Sequence, residues 1–506
     1  MRFKSKYNGL FFPEDSEGSG HLRFSSSRSN LKLVGKFYHF LNKDQFEVYG
    51  TLANGLHASF HQCIKVGSTS FHGDQTRSVE LEIFPHYIVI GHEHLKPSEA
   101  KVTRLSYSFS GGSLICAYRK SFDVIHPGAN DLKALIDTEH KKLIELFSSE
   151  EWKPEPREEP IGEHPVVAFF DGNHEIAKAT IPGATVTISN WPSYRAPTAK
   201  GAGFTNRIVH VIEFDKGVTL GESIFLLRNL HKFYELLLGN RQSYKKIELV
   251  LEGADETTFA PMRLHWSRCN AGVEKSKRDV HPVDIPALAT VDRKTFETML
   301  SSWMESMPEM APSRLRLLNG MFSKVYSYDR IIGAANVFDL LPSNRTPKEE
   351  ELSEETKAKI AASQADFRSL PITAARDSVL SILGRAGKPN LRNKIACRAE
   401  IVNRAFDNQF IDIEMVCHQA VLCRNHYVHG SKAGFNYEDN FQIVAFLTDT
   451  LEFVFAASDL IECGWDVAAY CNRVGTASHP FHRYMLNYEL NINTLKTSVE
   501  AAKDME

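Results

Sequence analysis

Arg424, Asn425, His426 and His429 fall within the eight residues CRNHYVHG, Cys423 to Gly430. An arginine and a histidine set together without acids suit one reaction on RNA. Histidine can move the proton of a 2′-hydroxyl or of the leaving 5′-oxygen, while a guanidinium neutralises charge on the pentacoordinate phosphorane. The substrate brings its own nucleophile, so this chemistry requires neither a metal nor another cofactor.

The stretch closes FIDIEMVCHQAVLCRNHYVHG, whose apolar residues recur at three- and four-residue steps and predict a helix. At about 100° per residue, Asn425 and His429 stand nearly one above the other, so Asn425 is placed to hydrogen-bond the His429 ring and fix its tautomer. Arg424 and His429 diverge by about 140° around a straight helix. One helix therefore does not aim both at one phosphate, whereas two copies facing each other across a two-fold axis could, each pair being completed by the partner subunit. Plainer readings fit the same residues. The cations suit the dipole of a helix C-terminus closed by a Gly430 cap. Cys423, His426 and His429 step by three and could line up for zinc, although no fourth ligand is evident and Cys417 points elsewhere. His426 reads as a surface or supporting residue.

These groups must be carried by a chain of 506 residues with net charge −3, 42% hydrophobic and 24% charged residues. That length implies roughly two to four domains, and the balance is that of a globular protein. The eight cysteines are scattered without a CxxC pair, and the opening MRFKSKYNGLFFPEDSEGSG lacks the continuous apolar core of a secretory signal. Nothing resembles a membrane span. The expected location is the cytoplasm, with reduced thiols.

From Leu31 to about Leu251, runs such as DQFEVYGTL, SVELEIF, HYIVIG and KKIELVL read as strands bounded by turn residues. One helix is expected among them, in GVTLGESIFLLRNLHKFYELLLGN, stopped by Gly239. An acidic, proline-containing connector at 151–165 allows this half two lobes. After about Val283 the period turns helical and stays so. The fold class is α+β and multidomain: a β-rich unit over 1–288, then a helical bundle over 289–506. PSNRTPKEEELSEETK (342–357) reads as an exposed loop running into a helix start.

Other motifs carry less. GRAGKPN lacks the spacing and the Ser/Thr of a phosphate loop. GHEHL sets two histidines on one face of a strand without a third ligand. From Arg368 to Arg404, eight basic residues stand against two acidic ones in a chain of net −3. Within that segment Arg385, Lys388, Arg392, Lys394 and Arg398 are candidates for RNA phosphates, and a solvated helical face is the alternative.

Arg424-Asn425-x-x-x-His429 at the end of a bundle helix, followed by FQIVAFLTDTLEFVFAASDLIECGW, resembles the HEPN superfamily. More narrowly, the chain resembles the ApeA family of bacterial anti-phage proteins, whose β-rich opening is similar to GKFYHFLNKDQFEVYGTLANGLHASF. The resemblance implies a helical, dimeric, metal-independent ribonuclease domain with Arg424 and His429 as catalytic pair and Asn425 as the motif's second position. It implies RNA cleavage to 2′,3′-cyclic phosphate and 5′-hydroxyl ends, tRNA as the leading substrate, and a phage-derived trigger sensed by the β-rich half. It also implies an acid facing the motif from an earlier helix, for which ANVFDLL offers Asp339. The rival reading is a non-catalytic HEPN-like interaction protein whose motif stabilises a dimer.

Overall fold

The computed structural model describes all residues except 1–5, 13–16, 25–28, 37–43, 73–76, 117–121, 148–160, 171–173, 200, 254–260, 271–272, 274–278, 324 and 505–506. The greater part of the 151–165 connector therefore lies outside the described residues.

Six strands come first: β1 (Lys6–Phe12), β2 (Gly18–Arg23), β3 (Asn30–Gly35), β4 (Phe46–Leu52), β5 (His57–His72) and β6 (Arg77–Phe84). They pair antiparallel in the order β5-β4-β1-β2-β3-β6, and β6 also pairs with β5, so the ring closes into a barrel. Alternate residues point inward, as the two-residue strand period demands. Phe11, Leu22, Leu33, Val48, Phe60 and Leu81 fill the interior with no exposed surface. Gly50 sits where a side chain would run into the Phe11 ring, which accounts for the glycine in the Gly-Thr-Leu strand ending.

β5 is long enough to serve two neighbours on one side. Its second part pairs with β6, while His57–His61 pair with β7 (Tyr87–Gly91), which starts an open sheet. That sheet also takes in β8 (Val102–Phe109), β11 (His174–Ile181), β12 (Ala184–Asn190), β15 (Ile208–Val218), β16 (Tyr244–Leu251) and β17 (Met262–Trp266), in the order β7-β17-β16-β8-β15-β12-β11. Two small ribbons, β9 (Phe122–Ile125) with β10 (Val167–Phe170) and β13 (Ser193–Thr198) with β14 (Gly201–Thr205), stand apart. Helices α1 (Gly112–Cys116), α2 (Ala129–Phe147) and α3 (Leu220–Leu238) interrupt the strands. α3 begins in a capping box between Thr219 and Glu222 and ends at Gly239, φ 66°.

The helical half comprises α4 (Arg293–Glu305), α5 (Met307–Met321), α6 (Tyr328–Asn336), α7 (Glu354–Ser369), α8 (Ala374–Leu383), α9 (Leu391–Ala405), α10 (Ile413–His429), α11 (Phe441–Glu462), α12 (Val467–Cys471) and α13 (Pro480–Asp504). α11 is the axis of the bundle: most of its residues are buried, and α5, α6, α9, α10 and α13 pack on it. The loop before α7 is exposed and the helix starts from a Ser353 cap, as its sequence predicts. α7 and α8 pack on one another and bury no residue of their own.

The hydrophobic interior divides at an unexpected place. One cluster is the inside of the barrel, and a second runs without interruption from the open sheet through α3 into the helical bundle. α4 is fastened to β11 by Arg293 with Glu175 at 2.5 Å and by the Ser301 hydroxyl donating to the Thr180 carbonyl at 2.8 Å. Sheet and bundle thus share one core.

Candidate active site

α10 buries Ile413, Val416, Cys417, Ala420, Val421 and Cys423 among α6, α9 and α11. Its end is polar and open: Arg424 is half-buried and His429 exposed. Gly430, φ 66°, stops the helix, its N–H donating to the His426 carbonyl at 2.9 Å. A side chain at that left-handed position would strain the backbone, so the cap read from the sequence is the cap found.

Arg424 Nη1 donates to His429 Nε2 at 3.0 Å and to Asn425 Oδ1 at 3.0 Å. Its Nε and Nη2 both donate to Asn336 Oδ1 from across the helix pair, at 3.3 and 3.0 Å. The two catalytic candidates therefore meet within one chain. The divergence of about 140° describes Cα–Cβ directions, and arginine's long stem carries the guanidinium around the helix past it. Asn425 differs from expectation as well: its carbonyl accepts from Arg424 and does not hold the His429 ring. Because a guanidinium only donates, His429 Nε2 accepts, which puts the proton of the neutral ring on Nδ1.

Asn336 escaped the sequence reading, which chose Asp339 from the same segment. Asp339 instead pairs with Lys394 Nζ at 3.0 Å. α6 ends at Asn336, and a 3-10 turn over Phe338–Leu340 carries Asp339 away from the motif's partners. His426 faces the loop after the helix: its Nδ1–H donates to the Ser431 carbonyl at 2.7 Å and its ring meets Tyr427 and Tyr437 edge-on. Zinc has little to hold it, since Cys423 is fully enclosed and burial pushes its thiol up to about 12. Among the described residues no group of three or more His, Cys, Asp or Glu is placed to hold a metal ion, at this site or around His92 and His94 of GHEHL.

The basic candidates separate. Arg385 and Lys388, in the turn before α9, and Arg392, in its first turn, are exposed. Arg392 lies close enough to α10 that, after burial, its charge lowers His418 below the ordinary histidine value. Lys394 is taken up by Asp339. Arg398 is a correction: it is fully buried, paired with Glu462 at 2.6 Å and donating to the Ser458 hydroxyl at 2.9 Å, so it fastens α9 to α11 and offers nothing to a phosphate.

Residues 6–303 match the family model described as ApeA N-terminal domain 1, and residues 332–468 match Apea-like HEPN. The second match runs from within α6 to the start of α12 and so contains Asn336, Arg424 and His429. The chain belongs to the ApeA family, with a C-terminal HEPN domain. That membership supports a nuclease-type function in anti-phage defence. No curated protein and no solved structure matches the chain.

Proposed function

We propose that the protein is a metal-independent HEPN endoribonuclease of an abortive-infection system, acting in the cytoplasm on tRNA or other host RNA. The observation that carries this reading is the 3.0 Å contact between Arg424 Nη1 and His429 Nε2 at an open helix end. Asn336 and Asn425 fix the guanidinium plane with neutral amides, which leaves its charge uncancelled for a phosphate. When a phosphate oxygen takes over Arg424 Nη1, the His429 Nε2 lone pair is released to accept the 2′-hydroxyl proton. The 2′-oxygen then attacks phosphorus and the P–O5′ bond breaks; the departing 5′-oxygen takes up the proton that His429 removed, returned by the imidazolium directly or through water, and the products are a 2′,3′-cyclic phosphate and a 5′-hydroxyl. Exposed Arg385, Lys388 and Arg392 supply positive charge along the approach. The working unit is a homodimer through the HEPN half, and the β-rich half answers to a phage-derived trigger.

The test is incubation of the purified protein with total tRNA in excess EDTA, with end-group analysis of the fragments. The reading expects cleavage with cyclic phosphate ends and none when the nucleotide 5′ of the cut is 2′-deoxy. A metal requirement, or cutting of the deoxy substrate, overturns the chemistry. Protein that dimerises through α10 yet cuts no RNA, triggered or untriggered, favours a non-catalytic interaction role.

A further inference from the structure

One turn from Arg424, α10 carries an aromatic residue that the phosphate chemistry does not use. The Tyr427 ring stacks on Tyr328 at 4.0 Å between centroids and 24° between planes. Phe441, the first residue of α11, meets Tyr328 edge-on at 5.9 Å and 82°. Tyr427 is held from its other sides by His426 and Tyr437. Three elements thus fix a rigid platform, yet Tyr328 remains 36% exposed and Phe441 37% exposed. Tyr427 is three residues from Arg424, about 4.5 Å along the helix, and the two residues face the same neighbour, since Asn336, which holds the guanidinium, and Tyr328 both belong to α6.

We propose that Tyr328 and Phe441 form a stacking subsite for a nucleobase next to the scissile phosphate, so that the RNA is unpaired where it is cut. This deepens the nuclease reading and rests on it. Bases inside a duplex are stacked on each other and closed to side chains, whereas a loop or single strand can lay one base on an aromatic face. The division of chemistry agrees, with aromatic rings where the base would lie and, where the phosphate would lie, a guanidinium whose described partners are two amides and an imidazole. An unpaired nucleotide also has the torsional freedom to bring its 2′-oxygen in line with the departing 5′-oxygen.

The experiment uses the full-length protein and an unstructured oligoribonucleotide containing the mapped cut. 2-Aminopurine stands beside the cut and a 2′-deoxy nucleotide blocks cleavage. Wild type should quench the fluorophore, as should Tyr328→Phe, which keeps the ring. Tyr328→Leu should not, although leucine still covers Tyr427. With the cleavable strand, Tyr328→Leu and Phe441→Leu should each raise KM roughly ten-fold with a smaller change in kcat, and annealing a complementary strand should abolish cutting. Equal cutting of duplex and single strand, an unchanged KM in both leucine variants, or absent quenching overturns the subsite. A change in sedimentation of Tyr328→Leu, showing that a second copy covers the platform, also overturns it. If wild type cuts no RNA at all, the nuclease reading falls, and the quenching measurement still decides separately whether a base stacks there.

Discussion

Arg314 and Arg424 lie in the same helical half and are held in opposite ways. Arg314, in the bundle interior, gives Nε and Nη2 to the two oxygens of Asp459 at 2.8 and 2.9 Å, with its guanidinium 3.6 Å from the centre of the Trp303 ring. Arg330 meets Glu452 the same way at 2.9 and 2.7 Å, and Arg398 meets Glu462. At the end of α10, the partners described for Arg424 are two amides and an imidazole. A charge in the interior is tolerable only when matched by an opposite one. A half-buried guanidinium with neutral partners keeps its attraction for an anion from outside. The interior pairs therefore hold helices together, whereas the α10 end keeps a cation with no carboxylate among its described partners.

The comparison breaks most visibly if the two kinds of residue fail to separate stability from activity. His429→Ala should cut cleavage by about 10²–10⁴-fold and leave the melting temperature unchanged, since His429 is exposed. Arg424→Lys should be nearly as damaging, because an ammonium keeps the charge and loses the planar fork. Asp459→Ala should do the reverse. It leaves Arg314 buried and unpaired, at a cost of about 3–5 kcal/mol in unfolding free energy, while the protein that stays folded keeps its rate. Calorimetry and initial rates on the same preparations check both. An Asp459→Ala protein as stable as wild type would show that the interior pair is not needed.

Histidines extend the comparison to pH. His210, His231 and His479 are buried, and burial lowers them to about 3, 4 and 4. Each is neutral when folded and titrates at its ordinary, higher value when unfolded, so the unfolded chain binds more protons between about pH 6.5 and 4. Stability is then full above pH 6.5 and is lost as the pH falls towards 4. Each histidine contributes on the order of 1–2 kcal/mol of that loss by pH 5. Urea midpoints for wild type and His479→Asn at pH 7 and pH 5 test this. The variant should lose less on acidification, and equal losses remove the account for His479.

Much of this arrangement was legible in the chain, and the remainder was illegible for physical reasons. Gly239 and Gly430 announce helix ends by local chemistry, and the change of period near 283 marks where strands give way to helices. β1 and β2, KYNGLFF and GSGHLR, went unread because their glycines suggest turns, whereas the barrel uses glycine for close backbone approach. α2 was missed although its sequence is amphipathic. Within the site, the Gly430 cap came from local chemistry, while Arg424 and His429 came as a pair from the family resemblance, since spacing alone left the plainer reading of a charged helix end standing. Asn336 came from neither, because its role exists only where α6 meets α10. Arg398 looked like its exposed neighbours Arg385 and Arg392, since burial is decided by Glu462 on a helix that follows much later.

Asn336→Asp sharpens the point about neutral partners. A carboxylate in place of the amide keeps the shape and both hydrogen bonds but cancels charge on Arg424. KM for RNA should rise by about ten-fold, an effect of about 1.4 kcal/mol, with kcat changed less. Full activity in that variant would show that neutrality there is immaterial and that an acid facing the motif, as the family resemblance implies, serves as well.

The smallest expected effect is a null, and it decides whether the site belongs to one subunit. From helix geometry alone, a pair split across a dimer would be restored when one chain carries Arg424→Ala and its partner His429→Ala. One combination would then keep an intact arginine from one chain and an intact histidine from the other. The 3.0 Å contact joins the two within one chain, and on that geometry every pair in the mixed dimer is broken. Differently tagged heterodimers, purified through both tags and compared with each mutant homodimer, should therefore show no recovery. A wild-type chain paired with a doubly mutated one should retain about half the activity if the two sites work independently. Recovery in the first heterodimer, together with loss in the second, would mean that the pair acts across the interface and that the contact within the chain is a resting arrangement that RNA binding replaces.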